Sequence, residues 1–361
     1  MKKVLIFSYS YFPHVGGAEI AIKEITDRIS DCQFDLITFN LGGQPKTERM
    51  GNINIYRISG FTKYLYPFKS FLIGLVLHKK KTYDCLWSMM ANTGFMSLGF
   101  KILFSKINYV LTIQEGDPIP QMKRRVWFVY PIYGMVFSWA DRVTAISSYL
   151  ADFARSMGAK KVEIIPNGVD QKKFKHKNEK LKINATGKIV LITTGRLVKK
   201  NAVEDIIKAL NFLPENIFFR SVGSGEDEGV LKKVVEKLGL KNRVEFLPHA
   251  SHEKMAELLA SADIFIRPSL SEGLGNSFLE AMAVGVPIIG TRVGGIPDFL
   301  NDGDTGLYCE IKNPNSVAEK VKLLIQDPAL YEKISRHGAE LVHEKYNWDI
   351  IADKFRTIFA L

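Results

Sequence analysis

The chain has 361 residues, 46% of them hydrophobic and 24% charged, which suits two ordinary folded domains and excludes a disordered or fibrous protein. Its net charge of +11 sits in one half: residues 1–175 carry 24 Lys and Arg against 13 Asp and Glu, while residues 176–361 carry 25 of each. Cys32, Cys85 and Cys309 are too widely spaced for a metal site or a disulfide framework, so a reducing, cytoplasmic compartment is expected.

Met1–Phe7 is basic, then apolar, and too short for a secretion signal; it reads as the start of a first strand, Val4–Ser8. A glycine loop with adjacent Gly16 and Gly17 follows, then a helix from about Ala18 to Ser30. Strands are expected at Phe34–Phe39, Ile53–Ile58, Cys85–Ser88, Tyr109–Ile113, Arg142–Ile146 and Val162–Ile165, with a helix at Ser148–Met157. Gln171–Lys188 is polar, Lys-rich and without apolar period, so it reads as a linker with a domain boundary near residue 180. A second series of strands starts at Ile189–Thr193 and continues at Ile217–Val222, Val244–Phe246, Ile264–Ile266 and Pro287–Ile289. The alternation of strand and helix predicts two doubly wound parallel sheets, with ligands at the carboxyl ends of the strands. The last helix, roughly Trp348–Ala360, can pack on either domain.

Two apolar runs end in cations. Phe71–Leu77 precedes His78-Lys-Lys-Lys81, and Lys123-Arg-Arg125 precedes Val126–Phe137. They fit core helices with basic ends, or a face that meets an anionic bilayer surface. Neither is long enough to span a bilayer. No zinc-finger, RNA-binding or basic-zipper pattern accompanies the charge, so nucleic acid is not expected as a partner.

The most informative segment is Glu272-Gly-Leu-Gly-Asn-Ser-Phe-Leu-Glu280. It lies at a strand-to-helix turn and sets two carboxylates eight positions apart. The amino end of a helix suits a diphosphate, and flanking carboxylates suit sugar and ribose hydroxyls. The same residues have a simpler alternative, because Ser277-x-x-Glu280 is also a capping box. That alternative leaves Glu272 and the two glycines unexplained.

Gly195-Arg196-Leu-Val-Lys199-Lys200-Asn201 follows the first strand of the second series, where a guanidinium and an ammonium can clamp phosphates. Val222-Gly-Ser-Gly-Glu226 ends another strand, but its glycine spacing is one residue too long for the dinucleotide fingerprint. Asp302-x-Asp304 lies among Gly and Asn and reads as a surface turn; no metal is expected.

Together these segments resemble the family 4 retaining glycosyltransferases of the GT-B fold. The likeness runs through Gly195-Arg196-Leu-Val198, Val222-Gly-Ser-Gly225, Ser271-Glu-Gly-Leu-Gly275, Glu280-Ala-Met-Ala283 and Gly294-Gly-Ile-Pro297, with Gly16-Gly17-Ala-Glu19 and Pro166-Asn-Gly-Val-Asp170 in the first half. The resemblance implies two Rossmann-like domains facing across a cleft. Residues 1–180 would bind the acceptor, residues 181–345 a nucleotide sugar linked to UDP or GDP, and residues 346–361 would form a helix that can cross back.

It also implies roles. Arg196 and Lys200, or Lys199 in its place, would hold the diphosphate, Glu272 the sugar hydroxyls and Glu280 the ribose. The backbone of Leu274, Gly275, Asn276 and Ser277 would meet phosphate or sugar, and Gly223 the base. Gly16 and Gly17 would approach the diphosphate and the acceptor. Transfer would retain configuration without metal or cofactor, onto a glycan or lipid-linked glycan. The family commonly has Lys where this chain has Asn201, and His after the strand ending at Ile113, where this chain has Gln114-Glu115-Gly-Asp117; Gln114 or Glu115 would then serve the acceptor. A GT-B epimerase acting on free donor, and a non-catalytic sugar-binding module, are the alternatives.

Overall fold

A computed structural model describes residues 1–59, 65–175 and 187–360. By internal contacts the chain divides into Met1–Asn167 with Trp348–Leu361, and Gly168–Asn347.

The first unit holds strands β1 (Lys2–Phe7), β2 (Cys32–Phe39), β3 (Thr47–Met50), β4 (Ile53–Ile58), β5 (Cys85–Met89), β6 (Asn108–Ile113), β7 (Arg142–Ala145) and β8 (Val162–Ile164). Its helices are α1 (Gly17–Arg28), α2 (Tyr66–Lys81), α3 (Gly94–Leu103), α4 (Ile119–Arg125), α5 (Tyr130–Ser138) and α6 (Ser148–Ser156). The sheet order is β3-β4-β2-β1-β5-β6-β7-β8, and only the β3–β4 pairing is antiparallel. A parallel sheet is covered on both faces, so its central strands must be apolar on both. Strand β1 shows this: Val4 and Ile6 join one core cluster with α1, and Leu5 and Phe7 join the other with α2 and α3. The pleat sends neighbours to opposite sides.

The second unit holds β9 (Ile189–Thr194), β10 (Ile217–Val222), β11 (Val244–Leu247), β12 (Ile264–Arg267), β13 (Ile288–Gly290) and β14 (Leu307–Tyr308). Its helices are α7 (Val203–Ala209), α8 (Glu228–Lys237), α9 (His252–Ala260), α10 (Asn276–Ala283), α11 (Pro314–Gln326) and α12 (Pro328–Lys345). The order β11-β10-β9-β12-β13-β14 is parallel throughout. The loops after β10, β9, β12 and β13 are therefore neighbours along one carboxyl edge.

The final helix, α13 (Trp348–Ala360), belongs to the first unit. Its Trp348, Ile351, Phe355 and Phe359 are buried with α1, and Phe355 and Phe359 each lie 5.2 Å from the Trp87 ring. The division between units falls after Asn167, earlier than the boundary near 180. Backbone bonding explains the difference: the Val169 N–H donates to the Tyr346 carbonyl (2.7 Å), and the Gln171 side chain donates to the His343 carbonyl (3.1 Å). The chain is thus tied to α12 by the start of the Lys-rich stretch. Most of that expected linker lies outside the described residues.

Candidate functional site

Four loops at the carboxyl edge of the second sheet are laced together by their backbones. Leu197 N–H donates to Ser224 O (3.0 Å), Leu270 N–H to Lys200 O (2.7 Å), and Gly295 N–H to Glu272 O (3.2 Å). Two glycines permit this spacing. Gly223 has φ +135°, and a Cβ there would stand 2.1 Å from Gly195 O. Gly294 has φ +53°, and a Cβ there would stand 1.8 Å from Glu272 O. Neither position can hold a side chain without moving the neighbouring loop.

Glu272 and Glu280 flank the start of α10, which Gly275 caps at φ +97° without any side-chain cap bond. The capping-box alternative therefore does not describe this helix. Ser277 lies inside the first turn, and its buried Oγ has no hydrogen-bond partner. The amino end of a helix carries partial positive charge from its first-turn amides.

The structure adds a residue that the sequence analysis passed over. Arg267, the buried last residue of β12, places its Nη1 3.3 Å from Glu272 Oε2 and donates from Nη2 to the Thr194 carbonyl. Its guanidinium also lies 5.8 Å from the Phe278 ring centre. A charged residue closing the apolar run Ile264-Phe-Ile was the available signal. Burial pushes the Glu280 carboxyl up to about 7, against the opposing pull of the Arg267 charge. Glu280 keeps some accessible area, so this recess still opens to solvent.

Arg196 and Lys199 are exposed on the loop after β9, and Lys200 is half-buried. No contact joins Arg196 to Glu272; the guanidinium paired with that carboxylate is Arg267's. Asn201 is buried and donates from Nδ2 to the Arg196 carbonyl (2.6 Å), closing the turn that presents Arg196. Its amide serves the loop backbone.

The remaining candidates lie in the first unit. Gly16 is the N-cap of α1 and Gly17 its first residue. The Glu19 carboxylate turns back over this loop, accepting from Ser10 Oγ. Gln114 Oε1 accepts from Asn167 Nδ2 (3.0 Å). Glu115 is buried; Oε1 accepts the Ala91 N–H (2.8 Å) and Oε2 has no partner. Burial raises its pKa, and the Ala91 N–H opposes that shift.

Asp302 accepts from the Tyr308 N–H (2.8 Å), and Asp304 pairs with His337 (2.8 Å) and Lys333 (3.4 Å), so both carboxylates serve the turn. Among the described residues no group of three or more His, Cys, Asp or Glu could hold a metal ion.

Two open α/β sheets, one with an acidic, glycine-laced loop running into a helix at its carboxyl edge, define the GT-B class. A family model described as glycosyl transferases group 1 matches residues 173–341, and one described as glycosyltransferase family 4 matches residues 15–173. An uncharacterized glycosyltransferase of Methanocaldococcus jannaschii, MJ1607, is 30% identical over 99% of this chain and 98% of its own. A GDP-mannose-dependent monoacylated alpha-(1-6)-phosphatidylinositol monomannoside mannosyltransferase of Corynebacterium glutamicum is 30% identical over 60% of this chain and 61% of its own. Among solved structures, sucrose-phosphate synthase of Thermosynechococcus elongatus matches with TM-score 0.87 at 19% identity, covering both chains fully. Anabaena HepE, solved with UDP and glucose, matches with TM-score 0.82 at 18% identity, again covering both chains fully. The chain belongs to glycosyltransferase family 4 and is a glycosyltransferase.

Proposed function

We propose that this enzyme moves a sugar from a nucleoside-diphosphate donor, UDP- or GDP-linked, to a hydroxyl of a glycan or lipid-linked glycan, with retention of configuration. The observation that carries this reading is the pair Glu272 and Glu280 on either side of the start of α10, where Gly275 caps without a side chain. Glu272 receives the donor-sugar hydroxyls and Glu280 the ribose hydroxyls. The backbone from Leu274 to Ser277, which leads into the first turn of α10, takes phosphate or sugar. Arg196 and Lys200 supply the cations, and Gly223 lets the base approach the backbone. Gly16 and Gly17 let the backbone approach the donor diphosphate beside the acceptor, and on the acceptor side the reading assigns Gln114 and Glu115. HepE was solved with UDP and glucose, which supports a UDP-sugar as the first donor to try. No cofactor or metal is assigned.

Breaking the anomeric C–O bond leaves a diphosphate whose charge grows in the transition state. Fixed cations and a helix amino end stabilise that charge more than they stabilise the ground state. The acceptor oxygen attacks from the face the diphosphate leaves, and its proton passes to the departing phosphate oxygen. Isolation of a sugar covalently attached to a side chain would overturn this front-face step.

The proposal is tested by Glu272→Gln and Arg196→Ala, each expected to lower transfer at least about tenfold while the protein stays folded. Turnover near wild type in both would remove the site. An epimerase would convert donor without acceptor, so incubation with donor alone separates that alternative.

The acceptor reading includes peripheral contact with the inner face of a membrane. Among the described residues no helix is long and apolar enough to cross one. The reported activity of the C. glutamicum relative, on a phosphatidylinositol mannoside, supports a lipid-linked acceptor.

A further inference from the structure

Among the described residues, the first unit exposes an apolar surface on its helices. Helices α2, α3 and α5 lie side by side on the sheet face served by Leu5 and Phe7. Phe71 of α2 packs on Phe100 of α3 (5.4 Å between rings), and Phe95 of α3 on Tyr133 of α5 (6.2 Å). The inner stripe of α2 is Tyr66, Ser70, Gly74 and Leu77, all buried. Its outer stripe is Phe68, Leu72 and Val76, exposed at 63%, 44% and 54%. An outward stripe at this helical spacing is normally polar. Next in the same layer, Ile102 and Leu103 at the end of α3 are exposed. Between α4 and α5, Trp127 and Phe128 stand out at 73% and 69%.

Charge identifies the occupant. Helices α2, α3, α4 and α5 contain no Asp or Glu, while α2 ends in Lys79-Lys-Lys81 and α4 ends in Lys123-Arg-Arg125. Lys79, Lys80 and Arg124 are exposed beside the apolar residues. A second copy of this chain would bring cations against cations. A protein partner would have to be both apolar and uniformly acidic. An anionic lipid surface supplies both in one plane: acyl chains for Phe68, Leu72 and Trp127, and headgroups for the cations at the helix ends. The stripe from Phe68 to Val76 spans about 12 Å of helix, a length suited to lying in the interface.

We propose that the outer face of α2, with Trp127 and Phe128, docks this enzyme on anionic membranes. This deepens the lipid-linked acceptor reading and rests on it for its purpose, although the docking can be measured without any acceptor.

The test is sedimentation of the full chain with phosphatidylcholine vesicles, with and without phosphatidylglycerol, at low and high salt. Binding is expected with phosphatidylglycerol and low salt. It should fall at least about tenfold in Phe68→Ser/Leu72→Ser and in Trp127→Ser/Phe128→Ser, and more steeply with salt than in Lys79→Gln/Lys80→Gln. These positions are exposed, so the variants keep the fold, which an unchanged melting temperature checks. No sedimentation of the wild type at low salt, or equal binding by the apolar variants, overturns the proposal. So does a dimer, seen by analytical ultracentrifugation, that the apolar variants abolish. Thermal-shift titrations with UDP and with GDP read the donor site separately: no response to either nucleotide with intact lipid binding sinks the functional reading alone, and a nucleotide response without lipid binding sinks the docking face alone.

Discussion

Arg267 Nη1 lies 3.3 Å from Glu272 Oε2, and the same guanidinium donates to the Thr194 carbonyl. One buried cation thus joins the end of β9, the end of β12 and the acidic loop. It holds the carboxylate that the proposed reading gives to the donor sugar, so Arg267 is a positioning residue.

Arg267→Ala should raise the donor KM and lower kcat/KM at least about tenfold, since it leaves Glu272 unanchored and removes a charged donor from the Thr194 carbonyl, at a cost of about 1.5–3 kcal/mol. Arg267→Lys keeps the charge without the planar fork and should recover only part of the loss. Donor titration calorimetry checks this. Unchanged donor affinity in a folded Arg267→Ala protein would show that Glu272 needs no anchor.

Glycine substitutions should separate close approach from mere loop position. Gly294→Ala sets a Cβ against the Glu272 carbonyl in a left-handed backbone and should destabilise by about 1–3 kcal/mol or more. It should also lower transfer, because the loop bearing Glu272 must move. Gly229→Ala, near the start of α8 with nothing within 4 Å, should leave stability unchanged or raise it by about 1 kcal/mol. Urea denaturation of both proteins decides the matter.

The Glu280 carboxyl supplies a pH test. Its folded-state pKa, raised by burial to about 7, stands above its ordinary value of 4.5. Between those values the folded state keeps a proton that the unfolded state has lost. This contribution to stability is fully present below the unfolded value and is lost as pH rises through 7. Glu280→Gln cannot ionise, so its melting temperature should gain on that of the wild type between pH 5 and pH 8. Donor affinity should move the other way in the wild type and rise through pH 7, as the carboxylate forms to accept ribose hydroxyls. A Glu280→Gln protein with the wild-type pH profile of stability would show that the carboxyl is solvated.

Asn201→Ala should cost about 0.5–1.5 kcal/mol, because the Arg196 carbonyl loses its 2.6 Å amide partner and keeps only the Val198 N–H (3.1 Å). Transfer should fall with it, since the turn that presents Arg196 loosens. Thermal denaturation and steady-state kinetics together test this. A protein as stable as wild type would mean that water replaces the amide at no cost.

Much of the architecture was legible because parallel strands buried on both faces leave unbroken apolar runs. Val4–Ser8, Ile189–Thr193 and Ile217–Val222 could be read directly, and strands lie there at Lys2–Phe7, Ile189–Thr194 and Ile217–Val222. Strand β3, with Thr47-Glu-Arg-Met50, could not: it is a short polar edge strand with only exposed or half-buried residues. The boundary near 180 followed composition, whereas the chain obeys hydrogen bonding, and Val169 and Gln171 are tied to α12 ahead of that position.

The sequence by itself determined the alternation of strands and helices, the glycine loops and the two glutamates around a helix start, because periodicity and turn chemistry are local. Only the tertiary structure revealed that Arg267 pairs with Glu272, that Ser277 is not the cap of α10, and that the outer stripe of α2 is exposed. Those facts depend on which loops become neighbours along a sheet edge and which helix faces find a layer to cover them. Strand order sets both, and distance along the chain does not encode it.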